Sequence, residues 1–337
     1  MPKAAGNIHV VQVRTESGLA VAAKVEGNSL RLLSSSLFEL ALLSANEGRR
    51  LSEVIDTSMT GETLDYDVAI AAGQLLAPIT HPDPAHLLLT GTGLTHLGSA
   101  APRNKMHGKG SDKSASEAPV TDTQRMFDWG VEGGKPTDGS VGVQPEWFYK
   151  GTGHTLRAPY QDIEMPAFAL DGGEEAELVG VYIVNDQGKV FRIGYALSNE
   201  FSDHVTEKQN YLYLAHSKLR DASIGPEIVI GDLPEEVSGN VSIHRNGELL
   251  WQHDFASGEQ HMCHSIANLE HHHFKYAAFR VPGQVHVHFF GAAILSFADA
   301  IVLQEGDEMR IECNLMTRPL INRVKVMSAV ESPVAAL

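Results

Sequence analysis

Residues 173–200 read GEEAELVGVYIVNDQGKVFRIGYALSNE. Two apolar, β-branched runs flank Asn185-Asp186-Gln187-Gly188, residue types that tolerate turn conformations, so the stretch is a β-hairpin. With Asp186 and Gln187 as the two central turn residues, Glu175 lies opposite Ser198 and Glu177 opposite Ala196. Residues two apart on a strand point to one face, so Glu175 and Glu177 project together. Cross-strand partners share a face, which brings Glu200 to the same surface. A slip of one residue would turn Glu200 away, so the convergence depends on register. Three converging carboxylates repel one another. Either they form a solvated acidic strand edge, or a hard divalent cation with oxygen ligands, Mg²⁺ above all, sits among them.

The chain has 337 residues, enough for two domains or one large domain with an attachment. Its net charge of −16 argues against a nucleic-acid footprint, which needs a basic patch. An anionic substrate would need a local positive site. Cys263 and Cys313 are the two cysteines, too few for a disulfide framework, so a reduced, cytoplasmic location is expected. The start, MPKAAGNIHVVQVRTESG, has no continuous apolar segment before a cleavage site, so no secretory signal is expected. The longest apolar run, FFGAAILSFADAIVL from Phe289, is short for a membrane span and contains Asp299, so no membrane partner is expected.

Outward from the hairpin, the pattern is strand-rich. IHVVQVR, LAVAAKV and SLRLL predict three strands near the start, followed by helical patterns in SLFELALLSANEG and YDVAIAAGQLL. This small α+β unit is placed at residues 1–82, ending near Pro82-Asp83-Pro84. A larger unit, 83–337, opens with HLLLTGTGLTHLGSA. Residues 101–145 show little periodicity and are expected to form a flexible lid. From Trp147 come further strands in WFYKG, ELVGVYIV, VFRIGYAL, PEIVIG, VSIHRNGELLWQ, VHVHFF and EMRIECNL, with a helix in HSIANLEHHHFKYAAF.

From about Leu87 onward the motif order resembles the fumarylacetoacetate hydrolase superfamily. The matching pieces are a Gly-rich turn ending in His96, FYKG around Lys150, EAEL with Glu175 and Glu177, and GYALSNEFSDH with Glu200. Lys218, IGP at 224–226, a late RNGEL turn, VPGQVHVHFFG, LQEGDEMRI and INRV follow. In detail the chain is most similar to the 2-keto-3-deoxypentonate dehydratase branch. The resemblance implies an α+β, β-rich fold: a mixed β-roll or β-sandwich catalytic domain behind the small N-terminal domain, assembled as a homodimer. It implies Mg²⁺ or Mn²⁺ held by Glu175, Glu177 and Glu200, where Asn199-Glu200 replaces the usual Asn-Asp pair. Lys218 matches the active-site lysine and His96 the N-terminal active-site histidine, a candidate general acid. Lys150, Ser198, Asn199, Gly225 and His288 are implied to meet the substrate.

Two departures separate the chain from the hydrolases. Ser99 stands where many members have a water-activating Glu, and His288-Phe289-Phe290-Gly291 replaces a Thr-Gly-Thr-Pro loop. The implied activity is therefore loss of water from a 2-keto-3-deoxy sugar acid, a pentonate giving 2,5-dioxopentanoate (α-ketoglutarate semialdehyde). The alternatives are a hydrolase cleaving a 2,4-dioxo acid to pyruvate, and a non-catalytic sugar-acid-binding protein. Other chemistries lack support. Eleven of the 17 histidines follow residue 200, but His271, His272 and His273 are adjacent on a helix and point apart. No zinc-site spacing, Walker loop or G-x-S-x-G is present.

Overall fold

The computed structural model describes residues 7–98 and 121–337. The amino-terminal strands are β1 (Ile8–Arg14), β2 (Ala20–Glu26), β3 (Ser29–Leu33) and β4 (Met59–Asp65). The first three match the alternating runs. The polar strand β4, MTGETLD, carries no apolar alternation and is invisible in the pattern. Next come β5 (Leu87–Gly91), β6 (Phe148–Thr152), β7 (Leu156–Arg157) and β8 (Asp162–Met165). The hairpin is β9 (Ala176–Val184) and β10 (Val190–Asn199), and β11 (Ala222–Ile230) follows. The last strands are β12 (Val237–Arg245), β13 (Glu248–Ser257), β14 (Val285–Phe289), β15 (Glu308–Cys313) and β16 (Leu320–Val326).

They form two mixed sheets. The larger, eleven-stranded, runs β4-β3-β2-β1-β11-β10-β9-β14-β5-β6, with β7 beside β11; the smaller runs β13-β12-β15-β16-β8. The amino-terminal strands are not a separate sheet, because β1 pairs antiparallel with β11 and the sheet continues across residue 82.

Both faces of the central strands are covered. On one, Val179, Val181, Val287 and Phe289 pack with Leu37, Leu40 and Ala41 of the helix Leu37–Glu47. Ser36 and Glu39 form that helix's capping box, and Gly48 ends it at φ 68°, a left-handed position suited to glycine. On the other face, Leu178, Leu197 and Phe290 pack with Val241, Phe255 and Ile311 of the smaller sheet and with Leu269 of the helix Ile266–Phe274. A strand buried on both sides reads as a continuous apolar run, which is why ELVGVYIV shows no alternation.

The expected lid at 101–145 falls partly outside the described residues, which resume at 121. Asp122–Gly133 is a helix, capped by the Thr121 side chain. Its sequence, DTQRMFDWGVEG, is amphipathic, with Met126, Phe127, Trp129 and Val131 among polar residues, a helix the reading of 101–145 as aperiodic missed. Gly130 lets it pack closely, since a Cβ there would stand 2.7 Å from His264 Nε2. No helix among the described residues is long and apolar enough to cross a membrane.

Candidate active site

The hairpin does not close on a two-residue turn. Val184 pairs with Val190, so the loop spans 185–189, where Asn185 Oδ1 accepts hydrogen bonds from the backbone N–H of Gln187 and Lys189. The wider loop moves the register by one residue. A bulge between Arg192 and Gly194 moves it by one more. The two odd shifts together preserve parity. Glu177 therefore faces Ser198 rather than Ala196, and Glu175 faces Glu200, whose N–H donates to Glu175 O at 2.9 Å. The individual pairings differ from the expectation, while the shared face survives.

The three carboxylates are not a solvated edge: Glu175, Glu177 and Glu200 are each at most 2% exposed. One oxygen from each lies within 4.8 Å of the others, so the group could hold a metal ion. Lys218, at the end of the helix Leu214–Lys218, reaches in with Nζ 2.5 Å from Glu175 Oε1 and 2.9 Å from Glu200 Oε2. The same ammonium lies 4.9 Å from the centre of the Phe148 ring. Lys150 is aimed at the cluster by a bulge. Leu89 pairs with Gly151 and Thr90 with Tyr149, which leaves Lys150 as the extra residue.

Lys150 Nζ donates to Phe201 O at 2.6 Å and Lys218 O at 3.1 Å, and stands 3.1 Å from Glu200 Oε1. An ammonium has three N–H donors. Two of them go to backbone carbonyls and the ammonium pairs with Glu200, so Lys150 braces Glu200 and Lys218. Ser198 and Asn199 also act on backbone: Ser198 Oγ donates to Glu177 O at 3.0 Å, and Asn199 Oδ1 accepts from Glu175 N at 3.4 Å.

Two cations serve Glu175 and Glu200, whereas Glu177 accepts a backbone N–H, that of Gly291, at 2.8 Å. Burial pushes the Glu177 carboxyl well above its usual range, reinforced by Glu200 and Glu175. Burial also raises Glu200, against the pull of Lys218 and Lys150. Burial lowers Lys150, against the pull of Glu200. Three carboxyl groups converge in a buried site, and an all-oxygen donor set of this kind suits a hard dication.

No protein-family model matches the chain, and no curated protein is similar to it in sequence. Solved structures are similar in fold. One titled 2-keto-3-deoxy-D-arabinonate dehydratase, apo form, superposes with a TM-score of 0.67 at 18% identity, covering 96% of this chain and 99% of that one. The same enzyme complexed with magnesium and 2,5-dioxopentanoate gives 0.66 at 19% identity, with the same coverage. A 2-hydroxyhepta-2,4-diene-1,7-dioate isomerase from Mycobacterium marinum gives 0.59 at 16%, covering 96% of this chain and all of that one. This chain has the fumarylacetoacetate hydrolase-type fold.

Within the fumarylacetoacetate hydrolase-type fold, three further expected site residues have the following surroundings. His96 is buried, with Nε2 2.9 Å from Ser257 Oγ and Nδ1 3.1 Å from Thr95 Oγ1. Burial lowers it to about 4, which favours the uncharged imidazole at neutral pH. Gly225 packs against Pro159 and Pro78, where a Cβ would stand 3.1 Å from each. His288 pairs with Gly180 while Val287 pairs with Val181, which puts His288 on the face opposite Val181, Val179 and Glu177.

His288 belongs instead to a buried histidine cluster. Its Nδ1 lies 2.8 Å from Thr90 Oγ1, and its ring stacks on His273 at 4.6 Å. His273 Nε2 is 3.0 Å from His286 Nδ1, and Trp147 Nε1 donates to His273 Nδ1 at 3.3 Å. His273 is fully buried. Burial holds His286 and His288 down at about 3. An unfolded histidine titrates near 6.5, so acid adds protons to the unfolded chain first and costs stability below that pH. Relative to wild type, His288→Phe should gain about 2 kcal/mol in unfolding free energy between pH 7.5 and pH 5. Urea unfolding at both pH values measures it; an identical difference at both would contradict the assignment.

The residues that sequence reasoning overlooked are Gly291, Asp171 and His204. Gly291 acts through backbone N–H, which no side-chain pattern reveals. His204 lies inside the quoted motif GYALSNEFSDH, and its buried Nε2 is 3.1 Å from Glu175 Oε1.

Proposed function

We propose that this chain is a metal-dependent hydro-lyase that removes water from a 2-keto-3-deoxy sugar acid, with 2-keto-3-deoxypentonate as substrate and 2,5-dioxopentanoate as product. The observation that carries the reading is the buried trio Glu175, Glu177 and Glu200, with the Lys218 ammonium between two of its members. The similar fold of a dehydratase complexed with magnesium and 2,5-dioxopentanoate supports the choice of reaction.

Glu175, Glu177 and Glu200 are the residues that would hold Mg²⁺ or Mn²⁺. The ion, when bound, supplies Lewis-acid chemistry that draws electrons from a 2-oxo group and acidifies the adjacent C3–H. Lys218 is the base for that proton in its neutral amine form, which a dication beside it would favour. It is the ammonium nearest two of the three carboxylates, and Lys150 fixes its backbone carbonyl. The C3 proton passes to the Lys218 amine, the C3–H electron pair becomes the C3=C4 bond, and the C4 hydroxyl departs. Lys218 returns the proton to that hydroxyl, so water leaves and the lysine is restored. This route needs no imidazolium at His96. The C3=C4 bond then migrates to C4=C5 as a proton leaves C5 and one returns to C3, and the C5 enol so formed tautomerises to the aldehyde; no redox partner enters.

A homodimer is also proposed, on resemblance alone. Product analysis tests the reaction. With a racemic 2-keto-3-deoxypentonate and Mg²⁺, the chain should form 2,5-dioxopentanoate, and EDTA should stop it. Pyruvate as the product would mean C–C cleavage instead. Binding of the acid with no EDTA-sensitive product would point to a sugar-acid-binding protein.

A further inference from the structure

Glu175 lies just ahead of β9, where strand pairing begins with Ala176, so the strand alone does not fix its carboxylate. Two donors from different elements meet the same oxygen: Lys218 Nζ at 2.5 Å and His204 Nε2 at 3.1 Å, both on Oε1. Two bonds to one oxygen set the rotation of the whole carboxylate.

His204 is itself tightly placed. It is 1% exposed and begins the helix His204–Gln209, whose N-cap Asp203 accepts from Thr206 N. Its ring stacks on Phe297 with centroids 5.1 Å apart and planes at 26°. Its Nδ1 faces Asp171 Oδ2 across 3.9 Å. The ring fits because residue 173 is glycine; a Cβ there would stand 2.6 Å from two of its atoms. Asp171, His204 and Glu175 thus form a buried carboxylate–imidazole–carboxylate row that ends on a candidate metal ligand.

We propose that His204 is a positioning residue that presents Glu175 to the divalent cation, with Asp171 and Phe297 setting the ring's orientation. The inference rests on the reading that the glutamate trio holds that cation. Groups that orient a metal ligand typically contribute 10–100-fold in metal affinity. A purely structural histidine would leave the affinity of a folded variant unchanged.

The test is calorimetric titration of EDTA-treated full-length protein with MgCl₂ in the absence of substrate. His204→Phe keeps the ring on Phe297 and removes both nitrogens; it should bind magnesium about 10–100-fold more weakly than wild type. His204→Gln restores an N–H near the Nε2 position and should recover most of that affinity. Wild-type affinity in a folded His204→Phe would overturn the proposal, as would a Gln variant no better than Phe. Should His204→Phe fail to fold, Asp171→Asn replaces it: weaker binding is expected, and unchanged binding overturns the proposal. If wild-type protein itself binds no magnesium, the metal reading falls, and that outcome is distinct from any effect at His204.

Discussion

Glu177→Gln is expected to abolish magnesium binding and turnover together, while the metal-free protein melts at or above the wild-type temperature. Glutamine keeps the size of the side chain and can still accept the Gly291 N–H that Glu177 accepts at 2.8 Å. What it removes is a carboxyl group that ionises only at a cost beside two others. A carboxylate buried among like charges is costly to ionise, so its removal relieves the apo fold. A site that gains stability when its ligand is neutralised is one arranged for something other than stability. Thermal melts in EDTA, magnesium titration and product assays on the one variant check all three parts. A metal-free variant that keeps wild-type turnover would contradict the role given to Glu177.

Lys218→Met should move stability the other way. Methionine retains an unbranched apolar stem, but Glu175 and Glu200 lose the cation they share at 2.5 and 2.9 Å. Breaking a buried ion pair by deleting one partner costs about 3–5 kcal/mol. The metal-free protein should melt well below wild type, and magnesium should restore much of the loss by binding the stranded carboxylates. Removal of a nearby positive charge should also tighten magnesium binding. Turnover should fall about 10²–10⁴-fold, the usual contribution of a positioned acid–base group. A variant that binds magnesium tightly yet turns over within tenfold of wild type would remove Lys218 from the chemistry.

Those opposite effects follow from a geometry only partly legible in the sequence. The apolar runs of β1, β2, β3, β9, β10 and β14 were readable because β-branched residues flank clear turns. The strand β4 was not, since MTGETLD is polar and mostly exposed. The face shared by Glu175, Glu177 and Glu200 followed from the period of two. The partners did not, because neither a five-residue loop nor a bulge at Arg192–Gly194 has a marker that outweighs Asn-Asp-Gln-Gly. Lys150 was legible as a site lysine, but the bulge that sets it against Phe201, Lys218 and Glu200 was not. His288 shows the limit of motif order: its place along the chain matched a loop of the family, while strand register turned it to the opposite face. His204 required three-dimensional information, since Asp171 and Glu175 reach it from an earlier stretch of the chain.

The central claim, one dication held by three buried glutamates, is tested most directly by anomalous diffraction from crystals soaked in MnCl₂. A single manganese peak should appear within coordination distance of Glu175, Glu177 and Glu200, and nowhere in the cluster of His273, His286 and His288. Full-occupancy density at the histidines, or a well-ordered glutamate trio with no peak among its oxygens, would contradict it.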